Sequence, residues 1–303
     1  MTENRMSHDR IVLVTGATGR QGGATLRHLL ARGWRVRALT RSPDSARARA
    51  LAAVGVEVVG GDLDDRASLD SACRGVHGVF GVQDPWLHGV PREILQGKAL
   101  ADAAHQAGVR HFVYASVAMA SEPTHVPHFE SKGAIERHIT SLGLDATFLR
   151  PVFFMDMLLA RFDGRAKDVW GALWRGLGRH TPIQLIAVDD IGAVAADAFC
   201  RPDQYVGSAV ELAGDELTLP EMDAAHRRIL GEPPQVRSIP FWLMRLLNRE
   251  AEVNFRWIGA HGWHVDLDRV RSSFPRTQRF ETWLTQRREE SLEAQEEPTR
   301  IFG

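Results

Sequence analysis

The chain has 303 residues, 44% hydrophobic and 25% charged, with a formal net charge of −1. That balance excludes a disordered chain and the basic footprint of a nucleic-acid or anionic-membrane binder; the length suits one large or two modest domains. No apolar run approaches a membrane span, the opening MTENRMSHDR lacks the apolar core of a signal peptide, and Cys73 and Cys200 make no disulfide framework, so a reduced, cytoplasmic setting is expected.

The first half alternates short β-rich runs with helical stretches. IVLVTG (11–16) reads as a buried strand ending at glycine, followed by a helix over 20–32 stopped by Gly33. RVRALTR (35–41), VEVVGGDL (56–63), GVFGVQ (78–83), HFVYASV (111–117) and DATFLRP (145–151) are the next strands, separated by helices ending at Ala53 and spanning 66–74, 92–107 and 130–142. Six strand–helix alternations predict a parallel sheet covered on both faces, with a ligand cleft over the carboxyl ends of its strands. Beyond it, 182–199 reads as a strand then a helix, 208–214 as a strand, 219–230 and 240–257 as amphipathic helices, and the charged tail from Gln286 as a solvated helix or loose end. The expected architecture is a doubly wound α/β domain over 10–155 and a smaller α/β lid or substrate subdomain over 156–303, interleaved with the first.

TGATGRQGG (15–23) places Gly16, Gly19 and Gly22 at GxxGxxG spacing between the first strand and the first helix. Glycine permits positive φ and close backbone approach, and the N–H groups of a helix N-terminus favour a pyrophosphate. In this strand–turn–helix context the loop predicts a dinucleotide site; the alternative is a tight βα turn with no ligand. The second strand ends in Thr40, Arg41 and Ser42, where an NAD-preferring site usually carries a carboxylate. Arg41 suits a 2′-phosphate and favours NADP(H) over NAD(H), unless it is an ordinary surface arginine. In GDLDD (61–65), Asp62 can bond an adenine amine and Leu63 can cover the ring, although an aspartate here also suits a helix cap. Val82 and Gln83, ending the fourth strand, would lie beside the ribose and phosphates.

Together with FLRPVFFMDMLL, VDDIG and RFETWL, these segments resemble the NmrA-like family, atypical members of the short-chain dehydrogenase/reductase superfamily, most in the style of the HSCARG branch of NADP(H) sensors. The resemblance is close over about 10–200 and loose beyond. It implies phosphate contacts from Gly16, Thr18, Gly19, Arg20, Gln21 and Gly22, a strand-end hydroxyl at Ser116, Lys132 on the nicotinamide ribose, and Pro151, Val152 and Phe154 lining the nicotinamide. It implies a redox-responsive sensor or regulator with a protein partner, or an NAD(P)H-dependent reductase of a quinone, enone or similar small molecule.

The sensor is the leading expectation and the reductase the alternative, and HFESK (128–132) bears on the choice without closing it. The superfamily's usual Tyr-x-x-x-Lys would place tyrosine at 128, which is histidine here; Lys132 is one of three lysines against 34 arginines. The two tyrosines, Tyr114 and Tyr205, have no lysine four residues on. His128 is a candidate proton donor, with Ser116 orienting a carbonyl; the alternative has His128 packing on Phe129 or capping the helix. Trp86 and His88 follow the fourth strand in a loop that could overhang the nicotinamide, or simply pack. No metal is expected: HGWH (261–264) lacks further ligands at matched spacing. The Trp-rich 240–264 reads as core or as a partner surface.

Overall fold

The computed structural model describes residues 10–159 and 165–300, except the side chains of His88 and of 294–300. The expectations for the first nine residues and for the His88 side chain fall outside the described residues. The alternating pattern forms β1 (Ile11–Val14), α1 (Arg20–Ala31), β2 (Arg35–Thr40), α2 (Ala46–Ala53), β3 (Glu57–Gly60), α3 (Arg66–Cys73), β4 (Gly78–Gly81), a short α4 (Pro85–His88), α5 (Val90–Gln106), β5 (His111–Ala115), α6 (Pro127–Ser141) and β6 (Ala146–Pro151). Next come β7 (Phe153–Phe154), a 3-10 turn over Met155–Leu158, α7 (Ala166–Leu177), β8 (Ile183–Ile186), α8 (Val188–Cys200), α9 (Pro202–Tyr205), β9 (Ser208–Leu212) and β10 (Asp215–Leu217). The chain closes with α10 (Leu219–Leu230), α11 (Phe241–Leu247), α12 (Arg249–Ala260), α13 (Leu267–Ser273) and α14 (Phe280–Arg300).

Two compact units result. The first runs through Pro151 and regains Val188–Glu211; the second holds Val152–Ala187 and the chain from Leu212 onward. The first unit regains α8 because this helix docks on α1. Arg27 donates to Asp189 at 2.9 Å, and His28 Nε2 lies 3.0 Å from the other carboxylate oxygen. The His28 bond and then Arg27 hold the Asp189 carboxyl down at about 2, against the opposing cost of burial. At Gly192 a Cβ would sit 2.6 Å from the backbone of Ala24, so only glycine lets the helices approach this closely. This contact accounts for the VDDIG segment without any ligand.

The sheet of the first unit is seven strands in the order β3-β2-β1-β4-β5-β6-β9, with β1–β2, β2–β3, β1–β4, β4–β5 and β5–β6 parallel. This is a Rossmann-type α/β sheet. Leu13, Leu69, Val79, Leu100, Phe112, Tyr114 and Ile135 fill one of its faces. The order reverses between β1 and β4, where such sheets open a crevice for ligands.

The second unit has a three-stranded sheet, β10-β8-β7. The expected helix over 240–257 is two helices. Asn248 leaves helical geometry (φ −156°) and its side-chain oxygen accepts from Ala251 N–H at 3.0 Å, capping α12. Trp257 and Trp263 are buried there, with Trp263 packed against Phe153 and Trp257, whereas Trp242 is 66% exposed. The charged tail is the end of α14, anchored by buried Phe280, Trp283 and Leu284. Among the described residues, no helix is long and apolar enough to cross a membrane, and no group of three His, Cys, Asp or Glu could hold a metal.

His111, at the start of β5, gives the first unit a pH dependence. Thr147 Oγ1 donates to Tyr205 O at 2.8 Å, so it accepts from His111 Nε2, also at 2.8 Å. Burial, and then His77, push the imidazole down to about 4 from its ordinary 6.5. Between those values the unfolded chain binds a proton that the folded chain refuses. Stability from this site is therefore complete above pH 6.5 and falls as pH drops toward 4, by about 3 kcal/mol in all. His111→Gln, which can still donate to Thr147 and does not titrate, is expected to flatten the thermal midpoint across that window; an unchanged slope would assign it to other groups.

Candidate functional site

The carboxyl ends of β1 and β4 are held at a fixed spacing by Thr15. Its hydroxyl donates to Val82 O at 3.0 Å and accepts from Val82 N–H at 2.8 Å. The chain then turns at Gly16 (φ +59°), with Gly19 N–H bonded to Gly16 O at 2.8 Å. A Cβ at Gly22 would lie 2.3 Å from Gly16 O and 2.5 Å from Thr15 O, so the first turn of α1 rests directly on the strand–turn backbone. Gly19 is the N-cap of α1; no side chain caps this end and its first turn carries no acidic residue. Uncapped N–H groups and the helix dipole here suit an anion. Thr18 is half-buried, Arg20 is exposed, and Gln21 keeps a buried Oε1 with no hydrogen-bond partner.

Gln83 follows directly. It is 5% exposed, and neither its amide nitrogen nor its amide oxygen has a hydrogen-bond partner. An orphaned buried amide costs stability, on the order of 1–3 kcal/mol per group, unless something binds it. A glycine cradle, an uncapped helix end and an unsatisfied amide at one topological switch point fit a dinucleotide.

Arg41 lies exposed just past β2. Asp62 is partly buried; its side-chain oxygen accepts from Asp64 N–H at 3.1 Å, while the cap of α3 is Asp65, accepting from Ala67 N–H at 3.0 Å. Asp62 is thus a turn residue, not a helix cap. Leu63 packs at the edge of the core.

Helix α6 begins three residues earlier than the sequence pattern suggests, with Pro127 in its first turn. Lys132 therefore sits in the second turn, 7% exposed. Its ammonium lies 2.8 Å from Glu93 Oε1, donates to Gln83 O at 3.3 Å, and stands 5.3 Å from the centroid of the Tyr114 ring. One turn back, His128 packs edge-on against Phe129 (4.6 Å) and tilted against Trp86 (5.1 Å). This joins α4 to α6, leaving Trp86 39% exposed.

One turn on, Glu136 accepts from the Ser116 hydroxyl and from Arg150, whose Nε is 3.0 Å from Oε1. With its proton committed to Glu136, Ser116 meets a ligand as an acceptor unless it rotates. Tyr114 cannot stand in for the missing acid: burial, and then the charges of Glu93 and Glu136, push its hydroxyl well above the ordinary value, and Oη has no partner. Pro151 ends β6, buried. Val152, buried, and Phe154, half-buried, belong to the second unit, where β7 pairs with β8.

The sequence pattern did not single out Thr15, Glu93, Glu136 or Arg150. Glu93 carried a readable signal, since it falls on the buried stripe of α5 with Gly97, Leu100 and Ala104; a carboxylate on an apolar face calls for a partner.

A family model described as the NmrA-like family matches residues 8–275. The chain belongs to the NmrA-like family. Among NmrA-like relatives it is 31% identical to an NmrA-like family domain-containing oxidoreductase, FrzB, of Cladobotryum sp, over 77% of each chain. It is 33% identical to an NAD(P)H azoreductase of Xenophilus azovorans, over 74% of this chain and 75% of that one. In fold it is similar to NmrA, a negative transcriptional regulator solved in complex with NADP: TM-score 0.72, 22% identity, 92% of this chain and 95% of that one.

Proposed function

We propose that this NmrA-like protein is an NAD(P)H-dependent reductase that passes hydride to a planar, conjugated small molecule such as a quinone, azo compound or enone. The observation that carries this reading is the switch-point site itself: an uncapped glycine cradle beside an orphaned Gln83 amide and a buried lysine. Bound there, the dinucleotide would supply the hydride. The chain's own residues cradle phosphates on Gly16, Gly19 and Gly22, present the Gln83 amide, and hold Lys132 for ribose hydroxyls.

The absence of a tyrosine acid narrows the acceptor. Hydride added to a quinone, azo group or enone leaves an anion spread by conjugation, which makes small demands on an acid; a simple ketone makes large ones. His128, stacked between Trp86 and Phe129, serves in this reading as part of an aromatic wall. The oxidoreductase and azoreductase relatives above 30% identity support an enzyme. The regulator NmrA, at 22%, lends its fold alone to the sensor alternative.

The test is the decay of NADPH absorbance with purified protein and a panel of quinones, azo dyes and enones. Steady turnover is expected, with His128→Ala lowering kcat less than about tenfold and Lys132→Met weakening NADPH about tenfold or more. A much larger loss in His128→Ala would make the histidine an acid. No turnover, with NADPH binding confirmed in the same sample, would return the protein to the sensor reading.

For cofactor preference, we infer that Arg41 favours the 2′-phosphate. Arg41→Asp is expected to weaken NADPH by roughly ten- to a hundredfold and NADH far less, because it removes a charge-assisted contact and adds repulsion. Equal losses in paired titrations would remove Arg41 from the argument.

A further inference from the structure

Lys132 has a four-carbon stem and three donors, and left alone would sample many positions. Here it is fixed. Glu93, whose side chain is 0% exposed, reaches from α5 to set Oε1 2.8 Å from the ammonium, while the end of β4 offers Gln83 O at 3.3 Å. Glu93 is itself held, since the Ser131 hydroxyl, on the residue before Lys132, donates to its other oxygen. A buried pair of this kind is a poor device for stability alone, because desolvating two charges offsets most of their attraction and apolar residues of similar volume would do as well. What it does provide is a lysine with one position, beside Gln83 just past the end of β4.

We propose that Glu93 is the positioning residue for Lys132, fixing the ammonium where it meets the dinucleotide's ribose. This rests on the reading of the crevice as a dinucleotide site. Glu93 is fully buried and acts through Lys132, not on the ligand.

A purely structural glutamate and a positioning one differ in a double-mutant cycle read in ligand affinity. NADPH dissociation constants would be measured by fluorescence titration on the full chain, for the wild type, Glu93→Gln, Lys132→Met and the double variant. Glu93→Gln is expected to weaken NADPH roughly tenfold, while the double variant binds like Lys132→Met alone. Glu93→Gln weakening NADPH by the same factor in both backgrounds, or not at all, would overturn the inference. Should Glu93→Gln fail to fold, Ser131→Ala, which loosens Glu93 without removing a charge, takes its place. Its smaller loss should likewise vanish beside Lys132→Met, and a loss that persists there overturns the inference. A wild-type chain that binds neither NADPH nor NADH would fail at the earlier step, and the dinucleotide reading would fall together with this one.

Discussion

Replacing Gly22 by alanine is expected to weaken dinucleotide binding by about a hundredfold or more, equivalent to roughly 3 kcal/mol. The added Cβ would sit 2.3 Å from Gly16 O, 2.5 Å from Gly16 C and 2.5 Å from Thr15 O. All three are backbone atoms, so no flexible side chain can move aside. The first turn of α1 must lift off the strand, and in the proposed dinucleotide site that turn would aim the helix N-terminus at the phosphates. Overpacking of this kind costs about 1–3 kcal/mol of stability, so the thermal midpoint should fall too, by less in relative terms than affinity.

Two control sites separate the effects. A Cβ at Gly23 meets Ala17 O at 3.3 Å, a contact that a shift of a few tenths of an ångström relieves, so Gly23→Ala should lose little. Gly55 has φ +85° and nothing within 4 Å of its added Cβ. Gly55→Ala should lower stability, because alanine disfavours that φ, and leave affinity intact. Wild-type affinity in Gly22→Ala, with NADPH titrated at one salt concentration, would place the phosphates elsewhere.

Most of the first unit was legible in the sequence because its strands and long helices answer local rules, whereas the short α4 had read as a loop. Buried apolar runs make the strands, glycines stop the helices, and the glycine loop sits where β1 meets α1. The second unit was harder for an equally physical reason. In α7 and α12, glycines that look like helix breakers are contact points: a Cβ at Gly259 would lie 2.2 Å from Gly176 O, and one at Gly171 2.1 Å from Arg237 O. Close approach in three dimensions leaves no periodic trace along the chain.

The same distinction divides the site. Gly16, Gly22 and Lys132 announce themselves by spacing. Glu93 and Arg150 matter because α5 and β6 bring them to α6, which spacing does not encode. His128 was readable two ways: its position in HFESK suggested an acid or packing on Phe129, and its ring lies against those of Phe129 and Trp86.

Arg150 carries the second large expected effect. Its guanidinium donates to both oxygens of Glu136 and, at 3.2 Å, to Ser121 Oγ. The Glu136 side chain is 7% exposed and that of Arg150 16%, so water can do little for either. Arg150→Leu leaves a buried carboxylate without its cation, which typically costs about 3–5 kcal/mol. The thermal midpoint should drop sharply, and the drop should exceed that of any surface ion-pair deletion such as Arg227→Ala. Adding Glu136→Leu is expected to restore much of the loss, because an apolar pair avoids the desolvation that a lone charge suffers.

Turnover then separates staple from orienter. Without Glu136, the Ser116 hydroxyl loses the acceptor that holds its proton and becomes free to rotate. A stable double variant with altered quinone reduction would mean that the network sets the direction of the Ser116 hydroxyl. A stable double variant with full turnover would reduce the three residues to a clamp between β6 and α6. An alteration is expected: the Ser116 hydroxyl, just past the carboxyl end of β5, donates to Glu136 and could turn its proton to a carbonyl once Glu136 is gone.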